Sequence, residues 1–128
     1  MSDSPCPFCD LPADRMILQN PVVYAMWDGY PVSTGHVLVV TRRHVAGWAE
    51  TTAAERDALW RAVELARAEI EKHHSPDGYN VGINDGAAAG QTIFHLHLHV
   101  IPRYEGDVED PRGGIRHVIA AKADYWSG

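Results

Sequence analysis

The most informative stretch of this sequence is residues 90–103, Gly90-Gln91-Thr92-Ile93-Phe94-His95-Leu96-His97-Leu98-His99-Val100-Ile101-Pro102-Arg103. Successive side chains of a β-strand point to opposite faces, so the alternation places three histidines on one face. The apolar residues then lie on the other face, where a core can cover them: Phe94, Leu96, Leu98 and Val100. On a helix the histidines would spread over about 200°, because each residue turns about 100°. The β-branched and aromatic content therefore predicts a strand, and a proline suits its end.

A row of imidazoles can bind a metal, or can bind and attack an electrophile such as phosphorus. The preceding Gly90-Gln91-Thr92 favours phosphorus. Glycine lets the backbone approach an anion closely, and a turn that presents N–H groups forms an anion-binding concavity. We therefore expect phosphate chemistry where this strand begins.

Several motifs together resemble the histidine-triad nucleotide-binding family. The run from His95 to Ile101 is similar to its signature, and residues 84–86 and 90–92 resemble its approach to the triad. Residues 31–39 resemble its earlier hairpin, so the likeness covers about residues 5–105. It implies an α+β fold in which one long helix packs on one face of an antiparallel sheet.

The resemblance also implies roles for individual residues. His97 would attack the α-phosphorus of a nucleotide and form a nucleotidyl-histidine, which water or another acceptor resolves. The predicted catalytic residues are His97, His99, His36 and Thr92, with His36 lying against the triad. The predicted nucleotide-binding residues are Asp28, Asn84, Gly90, Gln91 and His99.

Pro102-Arg103 followed by Gly106-Asp107 resembles the dinucleoside polyphosphate hydrolase branch of that family. We therefore expect a hydrolase or nucleotidyl transferase that acts at the α-phosphate of adenine dinucleotide polyphosphates or related nucleotides. Two alternatives remain open: a purine nucleoside phosphoramidase and a nucleotide-binding regulator with weak activity. A metal-binding module, in which every triad histidine is a ligand, is disfavoured by the separate Gly-Gln-Thr turn.

The only two cysteines lie in Cys6-Pro7-Phe8-Cys9. Three interpretations are open: a redox pair, half of a metal site, or incidental thiols. A redox pair normally opens a helix inside a βαβ unit, whereas this motif precedes a loop. The resemblance favours structural zinc, because some bacterial members carry this motif and complete the site with histidines that correspond to His44 and His95.

The rest of the chain predicts a hairpin, a helix and a third main strand. Residues 22–27 and 37–40 form the hairpin, and Asp28 begins its turn, where it caps the turn backbone or, by the resemblance, accepts hydrogen bonds from ribose hydroxyls. Thr52-x-x-Glu55 is typical of a capping box and begins a helix that continues to about residue 73. Its apolar stripe consists of Leu59, Ala62, Val63, Ala66 and Ile70. Residues 79–84 form the third strand.

Composition limits the classes of partner. The 128 residues suit a single domain, 1–128, with a core of about 5–105 and a tail of 106–128 that the sequence leaves uninterpreted. A net charge of −6 and the lack of a basic run argue against nucleic acid. We expect a cytoplasmic protein without a membrane segment or signal peptide. Trp60 lies at the edge of the helical stripe, and with the resemblance it predicts a homodimer.

Overall fold

The computed structural model describes residues 6–128 and contains one five-stranded antiparallel sheet. Its strands are β1 (Met16–Gln19), β2 (Val23–Trp27), β3 (Val37–Thr41), β4 (Gly78–Ile83) and β5 (His97–Arg103), in the spatial order β1-β2-β3-β5-β4. The helix α1 (Ala53–Glu71) packs across strands β1, β2, β3 and β5. This arrangement confirms the predicted α+β fold, and within residues 6–128 no helix is long and apolar enough to cross a membrane.

Strand register separates the sheet into two chemically different faces. His99 lies opposite Leu38 on β3, and His97 lies opposite Val40. This face also carries a small cluster of buried side chains: Phe8, Tyr24, Met26, Leu38 and Val40. The other face carries the main core, which includes Val23, Val39, Leu98 and Val100. The alternation along β5 therefore leaves the histidines outside the main core.

Helix α1 begins at the predicted capping box. The Thr52 hydroxyl accepts a hydrogen bond from the Glu55 N–H at 3.1 Å, and the Glu55 carboxylate accepts one from the Thr52 N–H at 2.8 Å. Glu55 also accepts two hydrogen bonds from the Arg43 guanidinium, so the end of β3 is tied to the start of the helix. All five residues of the predicted stripe are buried, which explains why this amphipathic segment is helical in the folded chain.

One local expectation was wrong, and one strand was not predicted. Phe94 was expected in the core, but it is 49% exposed, because the strand pairing begins only at His97. Strand β1 was not expected, since its four residues are too short to carry a clear alternation.

The tail after β5 folds against itself. Gly114–Lys122 forms 3-10 turns with a kink at Ile119. The Arg112 guanidinium lies 4.7 Å from the centre of the Trp126 ring, and Arg116 donates hydrogen bonds to the carbonyls of Ala123 and Lys122. These contacts give the tail a defined shape beside the sheet.

Candidate active site and metal centre

The backbone fixes the tautomer of His97. Its Nδ1 lies 2.8 Å from the carbonyl oxygen of His95, which only accepts, so the ring proton resides on Nδ1. The Nε2 atom then carries a lone pair, and within residues 6–128 it has no hydrogen-bond partner. The ring packs edge-on against Phe8, with 4.9 Å between the centroids. The His97 ring is thus held in one orientation, with an Nε2 atom that could act as a nucleophile.

Two consecutive hydrogen bonds orient His99. The backbone N–H of Val32 donates to Nδ1 of His36 at 3.1 Å, which places the His36 proton on Nε2. That atom donates to Nδ1 of His99 at 2.9 Å. His99 therefore carries its proton on Nε2, where it is available for an anionic oxygen. The predicted position of His36 against the triad matches this geometry.

Burial keeps these two imidazoles neutral. Desolvation, together with the neighbouring rings of His97 and His36, lowers the pKa of His99 to about 4. Desolvation also lowers the pKa of His36, although the Asp28 carboxylate opposes the shift. At neutral pH both rings are uncharged, so the donor-acceptor order along this chain is maintained.

Asp28 lies beside His36, in the turn that follows β2. Its Oδ1 accepts a hydrogen bond from the backbone N–H of Tyr30 at 2.8 Å, which is the predicted turn-capping role. Its Oδ2 lies 3.4 Å from Nε2 of His36. The carboxylate thus has one oxygen committed to the turn and one beside the histidines.

The turn before the triad is held by Gln91. The buried side chain accepts a hydrogen bond from the Gly86 N–H and donates to the carbonyls of Ala46 and Ile93. Gly90 adopts a φ of +96°, a conformation that glycine adopts without strain. Asn84, Gly90 and Thr92 remain exposed. The amide of Gln91 therefore shapes the turn, and these three exposed residues offer polar groups to solvent.

A second cluster joins the N-terminal motif to the triad strand. The ligating atoms of Cys6, Cys9, His44 and His95 all lie within 4.8 Å of one another. Sγ of Cys6 lies 3.3 Å from Nδ1 of His95, and Sγ of Cys9 lies 3.1 Å from Nδ1 of His44. Ligands of a tetrahedral zinc ion are separated by about 3.3–3.8 Å, given metal–ligand bonds of about 2.0–2.3 Å. Two thiols and two imidazoles at these separations fit a metal ion.

The environment of His95 supports the same interpretation. Its Nε2–H donates to the carbonyl of Thr41 at 2.6 Å, which leaves the Nδ1 lone pair directed at the thiols. Desolvation lowers the pKa of His95, so the ring is neutral, as a ligand must be. Desolvation and the neighbouring Cys6 raise the pKa of Cys9. A cation at the cluster would favour the thiolate and offset that shift.

Sequence reasoning missed the role of Phe8. The hydroxyl of Tyr24 donates to the carbonyl of Phe8 at 2.7 Å, and the Phe8 ring contacts both His95 and His97. The motif that carries the cysteines thus also covers the triad. The signal available in the sequence was the position of this apolar residue between Cys6 and Cys9, two candidate metal ligands.

Comparison with known families matches residues 12–106 to the HIT domain. The chain belongs to the HIT, or histidine-triad, family. It is 34% identical over 106 residues to an uncharacterised HIT-like protein of Mycoplasma genitalium, covering 80% of this chain and 75% of that protein. This HIT protein is also 38% identical over 90 residues to a bifunctional bis(5′-adenosyl)-triphosphatase/adenylylsulfatase of Arabidopsis thaliana, covering 70% of this chain and 50% of that one.

Two solved structures of histidine-triad proteins share the fold of this chain. A zinc-bound histidine-triad family protein of Mycobacterium smegmatis aligns with a TM-score of 0.69 and 35% identity, covering 91% of each chain. A hypothetical histidine-triad nucleotide-binding protein of Sulfolobus tokodaii aligns with a TM-score of 0.73 and 35% identity, covering 82% of this chain and 73% of that one. The family resemblance and the fold inferred from sequence are confirmed.

Proposed function

We propose that this HIT protein is a nucleotide hydrolase or nucleotidyl transferase that cleaves adenine dinucleotide polyphosphates or related nucleotides at the α-phosphate. The observation that carries the proposal is the hydrogen bond from Nδ1 of His97 to the carbonyl of His95, which leaves Nε2 free to attack. The named activities of relatives in Arabidopsis thaliana and Saccharomyces cerevisiae, both bis(5′-adenosyl)-triphosphatases, support this substrate class.

In the first step, Nε2 of His97 forms a bond to the α-phosphorus while the bond to the bridging oxygen breaks. That oxygen leaves with the bonding electron pair on the departing nucleotide. Water then adds to phosphorus, the N–P electron pair returns to Nε2, and a proton is released with the mononucleotide. The partial burial of His97 and His99 strengthens their electrostatic interactions with the phosphoryl group.

Other residues orient the phosphoryl group. The Nε2–H of His99 donates to a phosphoryl oxygen, and His36 fixes that tautomer by donating a hydrogen bond to Nδ1 of His99. Backbone groups near Gly90 and the Thr92 hydroxyl stabilise developing charge. Asp28 and Asn84 contact the nucleotide, whereas Gln91 acts by holding the turn.

Zinc at Cys6, Cys9, His44 and His95 is the structural part of the proposal. It would tie the N-terminal motif to β3 and to the triad, and so keep Phe8 over His97. Binding energy at such a site is folding energy.

We also infer a homodimer. Trp60 and Leu65 on α1 are each nearly half exposed, and β4 lies at the edge of the sheet. Exposed apolar surface beside an unpaired edge is typical of a two-fold interface.

The direct test is a quenched reaction of diadenosine triphosphate followed by mass spectrometry. Wild-type protein should show an AMP adduct on His97, and His97→Ala should lose at least about 10³-fold in turnover while retaining most AMP affinity. His73→Ala is a matched control, because it removes an exposed histidine just after α1 that belongs neither to the triad nor to the Cys/His cluster. Undiminished turnover by His97→Ala would refute the covalent route, and faster turnover of adenosine 5′-phosphoramidate would assign a phosphoramidase.

A further inference from the structure

A cavity of about 690 Å³ adjoins the histidine face and is used by none of the steps above. Ile101 and Arg103 follow His97 and His99 at the same parity on β5, and Asn80 lies opposite Ile101 on β4. These side chains therefore share the histidine face. Two residues of a strand span about 6.6 Å, so the cavity begins just beyond His99. Its size is within the range of small-molecule sites.

The tail supplies a preformed wall of this cavity. Pro111, Gly114 and His117 line it on one side, and Val32 and Ser33 of the β2–β3 loop line it on another. Gly113 adopts a φ of +92°, and a Cβ there would lie 3.2 Å from the Trp126 ring. This tight packing holds the tail in place, so a ligand does not have to order the cavity wall that the tail forms.

The charges of the lining exclude a bare phosphate. Arg103 donates two hydrogen bonds to Asp107 at 2.8 Å and a third to Asn80 at 2.6 Å, so its guanidinium is committed. Asp107 and Asp110 add two carboxylates to the lining. The cavity therefore suits a neutral group better than an anion.

The remaining surface suits a heteroaromatic ring with polar edges. Val32 and Val108 are 72% and 47% exposed, and Ile101 and Pro111 complete the apolar walls. Burial of these side chains by a ring would be favourable. The Ser33 hydroxyl is buried, and within residues 6–128 it has no hydrogen-bond partner. An orphaned polar group at an apolar cavity offers directional recognition to a ligand.

We propose that this cavity binds the nucleoside of the leaving nucleotide, the half of a dinucleoside polyphosphate that is not transferred to His97. The proposal rests on the proposed function. It adds that substrates with a second nucleoside are preferred over nucleotides whose leaving group ends in phosphate or is a small amine.

The test compares kcat/KM for diadenosine triphosphate with that for adenosine 5′-phosphoramidate, whose leaving group is ammonia. Ile101→Trp fills the cavity and should lower the ratio of the two values at least about tenfold. Ser33→Ala, which removes only a hydroxyl, should lower it in the same direction by less. Val118→Ala, an exposed tail position outside the lining, is the matched control and should leave the ratio unchanged.

Hydrogen exchange gives a second readout that needs no cavity variant. In His97→Ala protein, diadenosine triphosphate should slow amide exchange in residues 110–118 more than AMP does. Equal protection by both ligands, or an unchanged substrate ratio in folded Ile101→Trp and Ser33→Ala, would overturn the cavity assignment. If wild-type protein turns over neither substrate, the proposed function itself fails.

Discussion

Acidification should destabilise the fold through His99. Its pKa is about 4 in the folded chain, chiefly because of burial, whereas an unfolded chain would show about 6.5. The unfolded state therefore binds more protons between these values. The contribution of His99 to stability is complete above about pH 6.5 and is lost as the pH falls towards about pH 4.

The size of the loss follows from the two pKa values. Proton linkage gives about 2 kcal/mol between about pH 7 and about pH 5, and about 3 kcal/mol once the folded form also titrates. The groups that face His99 are His97, His36 and Asp28, of which only the carboxylate favours protonation. Protonation also breaks the hydrogen bond that Nδ1 accepts from His36.

Urea unfolding of wild-type protein and of His99→Gln, at about pH 7 and at about pH 5, measures this loss of unfolding free energy. The wild-type free energy of unfolding should fall by about 2 kcal/mol more than that of the variant. The lowered pKa of His95 and the Cys/His cluster are common to both proteins, so their contributions cancel in the difference. His36 donates a hydrogen bond to His99, so the difference reports the two imidazoles together. An equal fall in the two proteins would refute the assignment of the linkage to His99.

Three further outcomes are expected. Purified protein should carry about one zinc per chain, and Cys9→Ser should lower both the zinc content and the melting temperature, as measured by elemental analysis and calorimetry; unchanged values would contradict the metal centre. Thr52→Ala should cost about 1 kcal/mol of unfolding free energy in urea, because one of the two capping-box hydrogen bonds is lost; Thr92→Ala, at an exposed position, serves as the stability control. Light scattering at micromolar concentration should give about twice the chain mass of 14.1 kDa, and a value near one chain mass would exclude the dimer.

Local periodicity was sufficient to predict the main elements of this fold. The alternation around His97 and His99 placed them on one face, and the spacing from Leu59 to Ile70 placed one face of α1 in the core. Both patterns depend only on the geometry of a strand or a helix. The capping box was equally local, since its two partners are three residues apart.

Tertiary structure decided how the histidines are used. The sequence predicted three imidazoles on one strand, but only His97 and His99 lie in β5, and His95 precedes it. The ring proton of His99 is placed by His36, which is 63 residues away in the chain. His95 is directed towards the thiols by the carbonyl of Thr41, 54 residues away. The cavity lined by Ile101, Arg103 and His117 likewise depends on the return of the tail to the sheet. Such contacts join residues far apart in the chain, so no local pattern records them, and only the packed fold brings the partners within hydrogen-bonding distance.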